Sequence, residues 1–304
     1  MVFHLYFAGA QAMVSEELME ELKSFRLLSY FHDKKRIERR RDMGLKTFID
    51  SGAFTAHTKG IEVDLDEYIS YLNERDETVG VAAELDEIPG EFGKPKTKEQ
   101  LNKAPLKSWS NYLYMIEMCK SPEKVLPIFH QGENLKHLVT MLESTPLENG
   151  VAHVPYIGIS PSNEVSVKSK TSFLEACFEV VEASSNPNVK IHAFGMTSLK
   201  LLERFKFHSA DSTSWLMTSA NGGIMTKFGT IYVSDRGLKD KNHISNLTKE
   251  TQREMREYVE GYGFDLDQLS ESYKQRSNFN LTYLTEWTKN YQYKPQTVKQ
   301  FKLF

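Results

Sequence analysis

Eight short apolar runs, rich in β-branched and aromatic residues, recur along the 304-residue chain with helical patterns between them. Strands alternating with helices mark βα units, whose strands pair in parallel because each crossover helix carries the chain back to start the next strand in the same direction. The runs fall at Leu5–Gly9, Leu27–Phe31, Thr47–Ser51, Val79–Leu85, Val125–His130, Tyr156–Ser160, Lys190–Phe194 and Phe207–Asp211. Eight strands are the number that closes a barrel, so the predicted fold class is α/β, a TIM (β/α)8 barrel, with an open doubly wound sheet as the competitor. The second run, LLSYF, reads equally well as helix, in which case Gly229–Val233 has to supply the eighth strand.

Helical spacing is visible between the runs. Leu65, Ile69 and Leu72 share a face behind the acidic start DLDE, and Leu174, Phe178 and Val181 do so with Thr171 as the predicted N-cap. Two insertions follow strand ends, where a barrel carries its functional loops. One is the Pro-, Gly- and Lys-rich stretch Ile88–Ser108, and the other is Asn221–Gly237, whose glycines predict a β-hairpin. Past Lys239 the composition turns to polar helices and an aromatic tail. The predicted organisation is a barrel over 1–238 and a C-terminal helical appendage over 239–304.

Composition bounds the function. Hydrophobic residues at 40% and charged residues at 26% suit a globular chain and argue against extensive disorder. A net charge of −3 does not mark a nucleic-acid binder, although a local basic patch still binds phosphates. The run KKRIERRR offers Lys34, Lys35, Arg36, Arg39 and Arg40 for that role, with Lys94, Lys96 and Lys103 in the first insertion. Two cysteines, Cys119 and Cys177, build neither a disulfide framework nor a four-ligand zinc site and read as reduced thiols of a cytoplasmic protein. The N-terminal residues lack the basic region of a signal peptide, and no run approaches 18 apolar residues, so no membrane partner is expected.

In a barrel the side chains at the C-terminal strand ends converge on one pocket. Here they are Asp50 and Ser51, Asp86 and Glu87, His130 and Gln131, Ser160 and Ser162, His192, and Asp211. Crowded carboxylates repel, so one is expected to hold its proton near neutral pH while another stays ionised, a division of labour that suits displacement at an acetal-like carbon. The amide of Gln131 and the backbone around Gly158 suit a planar heterocycle. Three carboxylates also fit Mg²⁺ or Mn²⁺, and His130 and His192 fit zinc, although a histidine near a strand end more often packs through hydrogen bonds. The serines lack the G-x-S-x-G elbow of a hydrolase nucleophile.

Laid out in order over residues 47–215, IDSGAFT, ELDEIPG, PIFHQG, YIGISPS, HAFGMTS and SADSTSW resemble the motifs of the queuine/archaeosine tRNA-guanine transglycosylase superfamily, a TIM-barrel family. The resemblance implies Asp211 as nucleophile and Asp50 as general acid/base. It implies Asp86, Gln131, Gly158 and Ile159 as contacts of the base, with Phe54 or Tyr156 stacking on it. The second glycine of the family's DSGG segment is Ala53 here, and the family's C-x-C-x-x-C zinc site is missing. The chain is therefore most like the phage and bacterial DNA branch, which exchanges guanine in DNA for a 7-deazaguanine. The implied partners are DNA, with tRNA as the alternative, and a free 7-deazaguanine base, and no metal or organic cofactor is required. A catalytically silent nucleic-acid-binding barrel and a metal-dependent hydrolase are the rival functions.

Overall fold

The computed structural model describes residues 2–9, 16–33, 36–90, 94–95, 97–147, 153–162, 165–196 and 198–294. In chain order the regular elements are β1 (His4–Phe7), α1 (Glu16–Glu21), β2 (Leu27–Ser29), α2 (Tyr30–Asp33), α3 (Arg36–Asp42), β3 (Thr47–Asp50), α4 (Ala53–Thr58), α5 (Leu65–Glu74) and β4 (Val79–Ala83). They continue with α6 (Lys98–Met118), β5 (Val125–Leu126), β6 (Ile128–His130), α7 (Leu135–Glu143), β7 (Tyr156–Ser160), α8 (Val167–Ala183), β8 (Lys190–Ala193), α9 (Leu199–Arg204) and β9 (Ser209–Ser212). The last are α10 (Ser214–Ala220), the hairpin strands β10 (Gly223–Thr226) and β11 (Gly229–Tyr232), α11 (Lys249–Glu260), α12 (Leu266–Glu271) and α13 (Tyr273–Lys289).

The fold is α/β with parallel sheets. Strands β2, β3, β4 and β5 pair in parallel in chain order, as do β6, β7, β8 and β9, and β1 lies on the far side of β9. Each predicted run therefore contains a strand. LLSYF divides between both readings: Leu27 pairs with Phe48 in the sheet, and Tyr30 opens a helical turn. Val125–His130 is split at Pro127, which has no N–H to give to a ladder. Glu84, fully buried, bridges this interruption by accepting the Ile128 N–H on Oε1 at 2.7 Å. Its other oxygen, Oε2, has no hydrogen-bond partner among the described residues, and burial pushes the carboxyl well above the usual range.

The two bonded sheets face each other. The Phe48 ring on β3 lies 4.6 Å from His192 on β8 and 5.2 Å from Tyr6 on β1. Paired strands are spaced about 4.8 Å apart, so β3 and β8 would stand about 19 Å apart on a flat sheet. The ring contacts therefore place the two strands face to face and not side by side in one flat sheet. Among the described residues no bonded pair joins β1 to β2.

Two expectations shift. The Ile88–Ser108 insertion is loop only at its start, because Thr97 and Gln100 form a capping box that launches the 21-residue α6 from Lys98, with Pro105 inside it. Thr171 is not an N-cap: α8 begins four residues earlier, where Ser166 accepts the Ser169 N–H. The expected hairpin after Asn221 is present.

The chain separates into two compact units. One comprises Phe25–Asp211 with the segments before Phe7 and after Tyr291, and holds the parallel strands. The other comprises Phe7–Ser24 and Ser212–Tyr291. Within the second, buried Asn280 ties α13 to its neighbours by accepting the Met225 N–H at 2.6 Å and donating to Trp215 O at 3.1 Å. The Trp215 Nε1–H in turn donates to Ala8 O at 3.1 Å.

Glu84→Leu is expected to lower the unfolding free energy by about 1–3 kcal/mol, because a buried N–H loses its acceptor. Glu84→Gln keeps that acceptor and should lose clearly less; urea denaturation of the two variants checks the ranking.

Candidate functional site

The end of β3 is shaped by Gly52, whose φ of 75° lies in the left-handed region. A Cβ there would come within 2.6 Å of both Phe31 Cβ and Ser29 Oγ, so only glycine fits. The turn aims the Gly52 N–H at Asp50 Oδ2, 3.0 Å away, while the Ser51 hydroxyl accepts the Ala53 N–H that opens α4. Ser51 is buried and turned toward this backbone, while the N-cap position of α4 is Gly52.

Asp50 is half-buried, and burial is the main force that pushes its carboxyl up to about 7. The negative charges of Asp86 and Asp211 add to that rise, and the Gly52 N–H opposes it. The structure thus brings together the three carboxylates expected from the strand ends. Asp86 sits past the end of β4 on a segment fixed by α6: Asn111 Nδ2 donates to Leu85 O at 2.8 Å, and the Ser108 hydroxyl accepts the Glu87 N–H at 2.9 Å. Its Oδ2 lies 3.2 Å from His130 Nε2. Asp86, Leu85 and Asn111 join Ala53, Ala56 and His57 of α4 in lining a cavity of about 450 Å³.

Asp211 is 8% exposed. Its Oδ1 accepts the Gly195 N–H at 2.8 Å and meets His192 Nε2 at 3.3 Å. Gly195 reaches this orientation with a φ of 57°. Burial lowers the affinity of the His192 ring for a second proton, with Asp211 opposing, so the imidazole is neutral. Nε2 then carries the proton toward Asp211, Nδ1 accepts from the Ser209 hydroxyl, and Ser209 accepts from Tyr156 OH. This buried chain of donors runs one way and ends on Oδ1. Oδ2 of Asp211 has no hydrogen-bond partner among the described residues.

Other expected site residues are placed differently. Tyr156 is buried at the start of β7 with its hydroxyl on Ser209, so it belongs to the interior and is no stacking platform. Gly158 makes room for a side chain and not for a ligand edge: a Cβ there would lie 2.4 Å from Phe194 Cε2, and its N–H already donates to Pro127 O at 2.8 Å. Ile159 is fully buried and its carbonyl accepts the Phe194 N–H. The Gln131 amide is held at both ends, accepting the Ser162 N–H at 3.0 Å and donating to Ser169 Oγ at 3.2 Å. Phe54, in the first turn of α4, is 62% exposed.

The basic run divides as well. Lys34, Lys35 and the side chains of Arg36 and Arg39 lie outside the described residues, as does Lys96. Arg40 is buried and donates from Nε to Thr47 Oγ1 at 3.1 Å, which anchors α3 to β3 instead of offering a charge to solvent. Lys94 is exposed, and Lys103 pairs with Glu99 at 2.6 Å.

Glu84 and Glu133 were missed. Burial raises the Glu133 carboxyl, and Asp86 adds to the rise. The available signal for Glu84 was its place directly after the apolar run VGVAA and two residues before Asp86, on the same face of an extended segment. Among the described residues no group of three His, Cys, Asp or Glu side chains is arranged to hold a metal ion. No helix among them is long and apolar enough to cross a membrane. No family model matches the chain, and no curated protein matches it.

The raised Asp50 carboxyl has a stability consequence. In the unfolded chain Asp50 loses its proton near pH 4, whereas in the fold it keeps it to about 7. The fold therefore loses stability on this account as pH rises from about 4 to about 7. Asp50→Asn should gain about 4 kcal/mol over wild type at pH 8 and almost nothing at pH 4. Urea titrations at pH 4, 6 and 8 check it, and a gain independent of pH contradicts the assignment.

Proposed function

We propose that the chain is a guanine transglycosylase on a (β/α)8 barrel, exchanging guanine in DNA for a 7-deazaguanine base through a covalent aspartyl-glycosyl intermediate. The observation that carries this reading is the pairing of an Asp50 carboxyl pushed up to about 7 with an Asp211 whose Oδ1 is held by two N–H groups. The strand order and the β3–β8 ring contact support the barrel.

Oδ2 of Asp211 attacks C1′ of the target nucleotide, and the C1′–N9 bond breaks with its electron pair leaving on guanine. Asp50 gives its proton to the departing base. The incoming 7-deazaguanine then loses a proton to Asp50 and attacks C1′ from the vacated face, which breaks the ester and returns Asp211 as carboxylate. Two inversions give retention. The cavity beside Asp86 is the proposed site of the base, where its carboxylate accepts from the N–H edge of guanine. Phe54 is exposed for stacking, and the Gln131 amide reaches a base by exchanging its bond to Ser169. The target has to be unstacked or single-stranded to be reached. The choice of DNA rests on the missing zinc cysteines in the sequence, and tRNA is the second reading.

Mass spectrometry of enzyme incubated with labelled guanine and either DNA or tRNA decides the reading. Exchange into one polymer is expected, with a protein–nucleic acid adduct that Asp211→Ala abolishes. Exchange by Asp211→Ala at the wild-type rate, or none into either polymer by wild type, overturns it. Removing the imidazole in His192→Phe should lower kcat about 100-fold and leave KM nearly unchanged, because it takes away one of the two donors on Oδ1 without touching the base.

A further inference from the structure

The second compact unit contains a cavity of about 900 Å³ whose lining includes Arg236, Arg276, Ser234, Ser270 and Tyr273. Arg276, on α13, is only 4% exposed. Its Nε donates to Ser219 O at 2.9 Å, and its Nη1 donates to Leu269 O and Ser270 O at 2.8 and 3.1 Å. Nη2 makes no hydrogen bond to any described residue. Arg236 is anchored in the same manner, with Nη1 on Ala220 O at 2.9 Å. Carbonyl oxygens hold the two guanidinium groups in place but do not neutralise them.

Asp235 and Glu271 also line the cavity, yet among the described residues neither forms an ion pair with either arginine. Both carboxylate residues are exposed, whereas Arg276 is fixed inside. Burial lowers the Arg276 affinity for its proton, and the charge of Arg236 lowers it further, so the two cations repel each other across this space. The 17-residue α13 begins at Tyr273 on the cavity wall; Ser272 takes the N–H groups of Gln275 and Arg276, which leaves those of Tyr273 and Lys274 and the positive end of the helix dipole at this end. A planar guanidinium with two unused donors beside a helix N-terminus is a combination that recognises a tetrahedral oxyanion.

We propose that this cavity binds a phosphate group, held between Arg276 Nη2, the Arg236 guanidinium and the N-terminal N–H groups of α13. The group comes either as a free phosphate or as a phosphodiester of a single-stranded polynucleotide.

Isothermal titration of the full chain with inorganic phosphate and with a 12-nucleotide single-stranded DNA tests it. Arg236→Gln removes one exposed cation held by a single bond and is expected to weaken binding at least tenfold. Arg276→Lys keeps the charge but loses the fork, and thermal melts of both variants establish that they are folded. Binding of phosphate that Arg236→Gln weakens assigns a free phosphate. Binding of the oligonucleotide alone, weakened in the same way, assigns a polymer phosphodiester. If wild type binds neither probe, or if folded Arg236→Gln binds both within twofold of wild type, the proposal is overturned.

Discussion

The rings of Phe48 and His192 meet 4.6 Å apart although their strands belong to different bonded sheets, and Tyr6 and Phe194 close around the same imidazole at 6.0 and 4.4 Å. Burying these faces against one another removes large aromatic surfaces from water, and the gain is proportional to the apolar area covered. An imidazole in such a place has to be neutral, and a neutral imidazole has one donor to give. The ring packing fixes which way that donor points. Asp211 is oriented by the interior beneath it as much as by its own turn, since one of the two donors on Oδ1 comes from His192 and the other from Gly195.

Above that layer the protein tolerates a crowd of acids. Asp50, Asp86, Glu84 and Glu133 influence one another, and for three of them burial is the first cause of a raised carboxyl. A buried carboxyl that keeps its proton avoids both the desolvation of a charge and the repulsion of its neighbours. Burial lifts the Asp50 carboxyl to about 7, where a proton is both held and released at ordinary pH. Glu84 shows the structural use of the same chemistry. It replaces the ladder contact that Pro127 interrupts, and burial outweighs the Ile128 N–H, which by itself favours the charged form.

The second unit manages buried charge in the opposite way. Arg276 cannot discard its proton at ordinary pH, so its Nε–H and Nη1 donors are satisfied by carbonyl oxygens from the ends of α10 and α12. Carbonyls satisfy donors without cancelling charge, so the Arg276 guanidinium keeps its charge where a direct carboxylate pair would have offset it. Hydrogen-bond satisfaction and charge neutralisation are separate requirements, and the two units meet them separately.

Much of the strand pattern was legible because apolar runs and turn residues are local signals: Tyr156–Ser160 is matched end to end, and Asp50, Asp86 and Asp211 stand at or just past strand ends as their runs imply. What Gly158 and Tyr156 face was not legible in their runs, because it depends on partners far away in sequence, here Phe194 and Ser209. Arg40 looked like part of a charged surface, and its neighbour Thr47 became visible only when α3 packed on β3. The sequence by itself determined alternating strands and helices, the glycine turn at Gly52 and the positions of the acids, since periodicity and backbone sterics act over a few residues. Which acid keeps its proton, which oxygen of Asp211 is engaged and where the two uncancelled arginines face were decided by tertiary structure, because burial and charge repulsion are set by distances between residues that the chain itself does not bring together.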